Sequence, residues 1–350
     1  MSEGTVRVLI VDDSAVQRAA FRRHLEAAGL EVVAEASDGD MAVRKVLEHL
    51  PQVVLMDVRM PGLDGLQATQ RIMARRPTPI LLVTASPNLQ DDADIGLRAL
   101  ELGALELIAK PDLSAPQGPG RSLAQRLRLL AQVPVISHVK GNPQVTRRPT
   151  TARKTSFHRR ARSLVTVVAS TGGPRALRLL LSRLPADLRA AVVIVQHIDG
   201  AFEQALTRWL DAESELEVAL AKDEQDLYAG CVYLAPQGFY AEVTPRRRLA
   251  LVEGRAPLGG HCPNGDRLFS SAADAYGSNA IGVVLTGMGS DGTEGLLALK
   301  QAGALTIAQD EASSVIFGMP GAAVAAGACG AVLPLEEIPD ALIEALRERR

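Results

Sequence analysis

The chain has 350 residues, 47% hydrophobic and 22% charged, with a net charge of −2; these proportions exclude wholesale disorder and suit two domains of ~100–200 residues each. No apolar run approaches the ~20 residues of a membrane span, the start MSEGTVRVLIVDDS lacks a signal peptide's apolar core, and aromatic residues at 3% are too few for a base-stacking nucleic-acid surface. Three cysteines, Cys231, Cys262 and Cys329, lie far apart without a CxxC pair, which excludes a disulfide framework or zinc cluster and suits a reducing cytoplasm.

Charge divides the chain. Residues 1–133 carry 15 basic and 17 acidic side chains, residues 134–163 carry eight and none, and residues 164–350 carry 15 and 23. The first piece alternates strand and helix signals. VRVLIV (6–11) reads as a strand ending in Asp12-Asp13. A helix follows with Val16, Ala20, Phe21 and Leu25 on one face, stopped by Gly29. EVVAEA is a second strand, Met41 to Leu50 a helix, and VVLMD a third strand ending in Asp57. ILLVT ends in Thr84 and LELIAKP in Lys110-Pro111. Five strands separated by amphipathic helices predict a five-stranded, doubly wound parallel sheet. The basic segment 134–163 has proline, threonine and arginine but no periodicity. It reads as a linker extended by its own repulsion, or more sharply as a docking element for an acidic partner surface. No helix-turn-helix accompanies it, which argues against nucleic acid.

The second piece opens with the strand SLVTVVAS, and STGGPRALRLLLSRLP turns into a helix with Pro174 in its first turn. AVVIVQH is a strand, and AIGVVLTGMGSDGTEGLLALKQAG reads strand, glycine loop, helix. ALTIAQD, a Gly/Ala-rich helix from Met319, AVLPL and a final amphipathic helix complete a second doubly wound α/β unit. Residues 212–275 carry no clear pattern.

Parallel sheets place functional groups at strand carboxyl ends. In the first piece that rule gathers Asp12, Asp13, Asp57, Thr84 and Lys110. Crowded carboxylates cannot all stay ionised without a cation. A hard, oxygen-liking ion, Mg²⁺ above all, resolves the conflict. One carboxylate can then attack a phosphoryl group while Thr84 and Lys110 bond its oxygens. Taken singly, such residues are helix caps and solvated lysines. The motifs VLIVDDSAVQR, VVLMDVRMPGLDG, ILLVTAS and GALELIAKP resemble a response-regulator receiver domain over residues 5–130. The resemblance implies a flavodoxin-like fold, Asp57 as phosphoacceptor, Asp12 and Asp13 with Asp57 as Mg²⁺ ligands, and a histidine kinase as phosphodonor. Receivers of this class mostly carry an aromatic residue three positions before the lysine. Here it is Leu107, so rotation of an aromatic ring cannot carry the signal.

In the second piece Ser170, His197 and Asp291 stand at or just beyond three strand ends. Such residues can form a nucleophile, base and orienter, because a serine hydroxyl needs a base and the base a partner fixing its tautomer. Free N–H groups at the Ser-Thr-Gly-Gly helix start, Thr171 among them, and those of the loop Gly287 to Gly292 can face an oxyanion. Each residue alone has a plainer reading: Ser170 an N-cap, His197 a satisfied strand-end histidine, Asp291 a turn residue. His261 is a competing base in a loop with no strand behind it. The cysteines lack a base partner and read as packing.

ASTGGP, VQH, VYLAP, LFSSAA, VVLTGMGSDG and QDEASSVIFGMP resemble the catalytic domain of the chemotaxis protein-glutamate methylesterases, the CheB type. The resemblance implies hydrolysis of glutamate γ-methyl esters on chemoreceptor helices, often with deamidation of glutamines. It implies Ser170 as nucleophile, His197 as base, Asp291 as orienter, Met288 as an oxyanion donor, and a CheA-type kinase. No metal is expected for the ester step. The chain departs from the family pattern at Val168, usually glycine, at Ile198-Asp199-Gly200, usually Met-Pro-Pro, and at Cys262-Pro263-Asn264-Gly265, usually Arg-Pro-Ser-Val. The last two departures are expected to touch substrate recognition, and Val168 to tighten the approach to the serine. The resulting expectation is a cytoplasmic, phosphorylation-regulated serine hydrolase whose receiver covers the Ser170 cleft until Asp57 is phosphorylated. Its rivals are a phospho-switched binding module and a hydrolase acting on something other than chemoreceptors.

Overall fold

The computed structural model describes residues 5–85, 90–111, 113, 123–135, 159–254 and 261–348, with residues 90–95 described by their backbone. The chain divides into two compact units, Met1–Pro149 and Thr150–Arg350. The linker reading of 134–163 falls for its larger part outside the described residues. Its last residues belong to the second unit: Ala161 is buried and Arg160 bridges Tyr228.

In the first unit the elements run β1 (Arg7–Val11), α1 (Ala15–Ala27), β2 (Glu31–Ala36), α2 (Gly39–His49), β3 (Val53–Asp57), α3 (Gly65–Arg75), β4 (Ile80–Thr84), α4 (Gln90–Glu101), β5 (Glu106–Ala109) and α5 (Leu123–Leu130). The sheet order is β2-β1-β3-β4-β5 with every pairing parallel. Its central strands are apolar without alternation and wholly buried, as a sheet covered on both faces requires. Ser14, Asp38 and Asp64 cap α1, α2 and α3 by accepting the N–H groups of Gln17, Met41 and Gln67, so three helix starts are set by local side-chain chemistry. One expectation fails: Val16 is 80% exposed while Phe21 and Leu25 are buried. Five residues separate Val16 from Phe21, which puts it roughly 140° round the helix from the buried stripe.

In the second unit the elements run β6 (Ser163–Ala169), α6 (Gly173–Ser182), β7 (Ala190–Gln196), α7 (Gly200–Glu213), β8 (Glu217–Leu220), β9 (Gln225–Asp226), β10 (Cys231–Leu234), β11 (Phe239–Val243), β12 (Arg248–Glu253), α8 (Gly265–Tyr276), β13 (Ala280–Val284), α9 (Thr293–Gln301), β14 (Leu305–Gln309), α10 (Met319–Ala325), β15 (Ala331–Leu333) and α11 (Ile338–Glu348). A parallel sheet has the order β15-β14-β13-β6-β7-β10-β8. The patternless stretch contributes β8 and β10 at one edge and an antiparallel sheet of order β11-β12-β9. Chain progression reverses at β6, which feeds β7 on one side and pairs with the later β13 on the other. Doubly wound sheets open their crevice at such a switch point, outside the strand carboxyl ends. Ser170 and the loop after β13 both lie there. No helix among the described residues is long and apolar enough to cross a membrane.

Candidate functional site

The first unit carries a carboxylate cluster. Asp12 follows β1, Asp57 ends β3, and ligand atoms of Asp12, Asp13 and Asp57 lie within 4.8 Å of one another. Asp12 and Asp57 are buried and Asp13 is exposed. Lys110, placed after β5 by its N–H bond to the Thr84 carbonyl, brings Nζ to 2.7 Å from Asp12 Oδ2 and 2.6 Å from Asp57 Oδ2. Thr84 is buried at the adjacent strand end. Burial pushes the Asp57 carboxyl above its usual range, Lys110 offsets part of that, and Asp12 adds to it. Burial also opposes the charge of Lys110, but the two carboxylates outweigh it and hold the ammonium above its ordinary value. One ammonium shared by two buried carboxylates, with a third beside them, leaves the cluster short of positive charge. All-oxygen donors of this kind fit a hard divalent cation. A cleft of about 410 Å³ lined by Asp13, Arg59, Met60 and Asp64 opens beside it. Leu107 is buried, and a Cβ on Gly96 of α4 would come within 2.5 Å of its side chain. An aliphatic side chain thus fills the position discussed above.

The second unit gathers its groups around β6. Register pairs Ala169 with Gln196, and the His197 N–H donates to the Ala169 carbonyl at 3.0 Å, so Ser170 and His197 leave neighbouring strands side by side. The Ser170 N–H donates to the Thr286 carbonyl, which ties the serine to the loop after β13 as well. That loop approaches closely: a Cβ on Gly287 would lie 2.7 Å from Ser170 Cβ. The cap of α6 is Gly172, so Ser170 is not the helix N-cap of the plainer reading. Thr171, next to Ser170, and Met288, next to Gly287, are both buried, and Thr171 Oγ1 has no hydrogen-bond partner among the described residues.

His197 Nε2 lies 2.8 Å from Asp291 Oδ2, the two side chains being 7% and 5% exposed. Nδ1 of the same ring is buried and has no hydrogen-bond partner among the described residues. Asp291 also accepts the N–H of Gly265 on Oδ2 (2.7 Å), and on Oδ1 the Asn264 amide (2.7 Å) and the N–H of Asp266 (3.3 Å). Burial opposes its charge, but His197 and the N–H groups of Gly265 and Asp266 outweigh burial and hold Asp291 below the usual carboxylate range. An ionised carboxylate only accepts, so Nε2 carries the imidazole proton and Nδ1 is left as an acceptor. The anchoring is crosswise: Asp291, just before α9, receives the first N–H groups of α8, and Asp266 in the first turn of α8 accepts the N–H of Gly295 in α9. Burial, with Asp291 nearby, raises the Asp266 carboxyl.

Several contributors escape sequence reasoning. His261, which has no strand to place it, stacks its ring on His197 at 4.0 Å between centroids and 18° between planes. Asn264 and Gly265, read as recognition elements, touch the Asp291 carboxylate itself. Gln196 bonds the carbonyls of Ser170 (2.9 Å) and His197 (3.0 Å). Thr286 joins the Thr171 carbonyl to the Ile316 N–H, and buried Gln309 holds the Thr286 N–H. Val168 packs where a Cβ on Gly265 would come within 2.6 Å of its methyl. A glutamine closing an otherwise apolar buried strand is a signal that could have found Gln196 and Gln309, whereas Thr286 lies two residues past the end of β13 and carries no such mark. Burial raises all three cysteine thiols, that of Cys329 to about 11, which suits packing rather than reactivity.

Residues 165–342 match the CheB methylesterase family and residues 8–116 the response regulator receiver domain. A protein named protein-glutamate methylesterase/protein-glutamine glutaminase 2 from Anaeromyxobacter dehalogenans (strain 2CP-C) is 45% identical over 351 residues, covering 98% of this chain and 97% of its own. A namesake numbered 3 from Myxococcus xanthus (strain DK1622) is 41% identical over 343 residues, covering 97% and 93%. The crystal structure of the Thermotoga maritima CheB methylesterase catalytic domain superposes with a TM-score of 0.50 at 37% identity, covering 52% of this chain and 97% of that one. By sequence over nearly its full length, the chain belongs to the CheB methylesterase family and carries a response regulator receiver domain ahead of the catalytic one.

Proposed function

We propose that this protein is a phosphorylation-regulated serine hydrolase acting in the cytoplasm, which demethylates glutamate γ-methyl esters on the cytoplasmic helices of chemoreceptors and deamidates their glutamines. Residues 1–133 are the regulatory domain and 164–350 the body of the catalytic domain; the tether between them ends before Arg160, which already pairs with Tyr228 of the catalytic unit. Ser170 Oγ forms a bond to the ester carbonyl carbon and passes its proton to His197 Nδ1. Asp291 keeps the other ring proton on Nε2 and stabilises the imidazolium. The backbone N–H groups of Met288 and Thr171 receive the oxyanion. As the tetrahedral centre collapses, the C–OCH₃ bond breaks and the leaving oxygen takes the proton from His197, giving methanol. Water, deprotonated by His197, then hydrolyses the acyl-serine and restores the hydroxyl. A glutamine side chain presents the same carbonyl and releases ammonia.

The observation that carries this reading is the imidazole of His197. One nitrogen is pinned to an ionised carboxylate, and the other is buried with no hydrogen-bond partner among the described residues, on a residue whose strand neighbours the one leading to Ser170. A buried acceptor without a partner costs a binding module about 1–3 kcal/mol, whereas a general base needs that acceptor. In the regulatory domain Asp57 is the phosphoacceptor, with a CheA-type histidine kinase as donor and Thr84 and Lys110 bonding the phosphoryl oxygens. Asp12, Asp13 and Asp57 hold Mg²⁺, which when bound supplies the positive charge that the cluster lacks. Methanol release from methyl-labelled receptor tests the reading, with and without a small-molecule phosphodonor. Wild type should release methanol faster with the donor, and Ser170→Ala should release essentially none. Undiminished release by Ser170→Ala would end the proposal.

A further inference from the structure

Asn264 stands immediately before α8 and uses both ends of its amide. Oδ1 accepts the N–H of Arg267 at 2.9 Å, and Nδ2 donates to Asp291 Oδ1 at 2.7 Å. Amide orientation is often ambiguous, but here the partners settle it, because an N–H can only donate and an ionised carboxylate can only accept. The donors on Asp291 divide by oxygen. Oδ2 holds His197 Nε2 and the Gly265 N–H, while Oδ1 holds the Asn264 amide and a longer bond, 3.3 Å, from the Asp266 N–H. Without the amide, Oδ1 keeps only that long bond among the described residues, and a rotation that carries Oδ2 away from His197 and the Gly265 N–H meets less resistance.

We infer that Asn264 is a positioning residue of the hydrolytic site: its amide locks the rotation of the Asp291 carboxylate and tempers its basicity, so that His197 keeps its proton on Nε2 and its lone pair on Nδ1. The inference rests on the reading of Ser170, His197 and Asp291 given above and goes one residue beyond it. Helix capping alone does not account for the contact. Serine or threonine would cap α8 comparably, and its hydroxyl can also donate, but from the same short-armed oxygen that accepts the cap N–H rather than from a second atom turned onto Asp291 Oδ1. Among the described residues, the other ionisable groups beside the pair are His261, stacked on the imidazole, and Asp266, which itself feels Asp291 and Glu294; the Arg267 guanidinium lies instead on Glu242 and the Tyr240 ring. Changing Asn264 alone leaves all of these residues unchanged.

The test is steady-state hydrolysis of methylated receptor helices by the full chain across the acid and neutral range. It uses Asn264→Ser and Asn264→Thr, with Ser170→Ala as reference and melting temperature as the measure of fold. Both variants should melt close to wild type because the cap survives. Their kcat should fall about tenfold, the scale of one hydrogen bond to a charged group, with KM nearly unchanged. The acid limb of kcat/KM should move up by about half a pH unit, because a carboxylate that has lost a donor holds the proton on its histidine more tightly. A folded variant with wild-type kcat and an unmoved limb overturns the inference and leaves Asn264 a helix cap. Loss of fold in both variants overturns it too, since the amide would then serve the fold. Full activity in Ser170→Ala overturns instead the underlying reading.

Discussion

Asp57 and Asp291 are the same residue type, both buried and both close to the carboxyl ends of parallel strands, yet their surroundings move them in opposite directions. Asp57 shares a lysine with Asp12 and accepts the backbone N–H of Arg59 at 3.3 Å, and burial wins: its carboxyl rises. Asp291 accepts two N–H groups from the start of α8, an amide and an imidazole, and the donors win: its carboxyl falls. The difference lies in coordination, since neither is more than 8% exposed. An under-donated carboxylate keeps lone pairs for a cation and for attack on phosphorus. A saturated one has none to spare and can only hold a neighbour in place. On the proposed reading the chain uses one side chain twice, as a reagent and as an orienter, by how many hydrogens point at it.

The same substitution at both places should break the two halves differently. Asparagine at 291 has one acceptor oxygen for four donors. If its amide nitrogen faces His197, the ring is forced into the wrong tautomer. Asp291→Asn should therefore lower kcat for methanol release by roughly 10⁴-fold, the size of a tautomer error, with or without phosphodonor. Asp57→Asn should instead lose the acceleration by phosphodonor and all incorporation of labelled phosphoryl. Labelling of Asp57→Asn, or a mild effect at 291, would show that the two carboxylates are not specialised as described.

A divalent cation sharpens the contrast at the under-donated end. Mg²⁺ at a hundredfold excess over its Kd should stabilise the receiver by about 2.7 kcal/mol, and chelation should reverse the gain. Asp13→Asn should reduce the shift, while the transition of the catalytic domain should not move. A melting curve indifferent to Mg²⁺ in the wild type would remove the cation from the account of Asp12, Asp13 and Asp57.

The saturated end has a pH signature. The folded-state pKa of Asp291 lies below its unfolded value, so its ionised form contributes stability that is complete above the ordinary carboxylate range. That contribution drains away as the pH falls through the range toward the folded value. Asp291→Asn lacks it at every pH. The stability gap between wild type and variant, measured by denaturant unfolding, should be widest near neutrality and narrow on acidification. A gap independent of pH would mean that the donors around Asp291 do not favour its charge.

The parts legible in the sequence share one property: each is local to a strand. An apolar run that ends in a polar residue announces both the strand and the crevice side, and that rule places Asp12, Asp57, Thr84, Lys110, Ser170 and His197 without any knowledge of neighbours. Asn264 and His261 precede α8 in a stretch without period, and their meaning comes from Asp291 and His197, 27 and 64 residues away. Val16 shows the converse: an apolar residue in the right helix, counted on the wrong stripe because burial depends on the angle to a sheet not visible in a helical pattern. The patternless middle became edge strands and a small antiparallel sheet, where alternation is short and half exposed.

The departures from the family pattern show the same long-range logic, and one pair yields the finest test. The family pattern that the motifs resemble leads one to expect glycine where this chain has Val168 and valine where it has Gly265. Position 265 adjoins the Val168 side chain, since a Cβ there would meet its methyls at 2.6 and 2.8 Å. On that expectation the two departures compensate one another across a single contact beside Asp291. Gly265→Val alone should overpack the contact and cost ~1–3 kcal/mol. Val168→Gly alone should leave a void in a strand that is otherwise fully buried and cost at least as much. Made together they should return stability to within about 0.5 kcal/mol of wild type, a coupling that independent sites do not show. Methanol release should recover with it, because Gly265 also donates its N–H to Asp291 and shares whatever displacement the clash imposes. Simple additivity of the two losses would mean that the valine and the glycine are unrelated, and that the space beside Asp291 is held open by something other than their compensation.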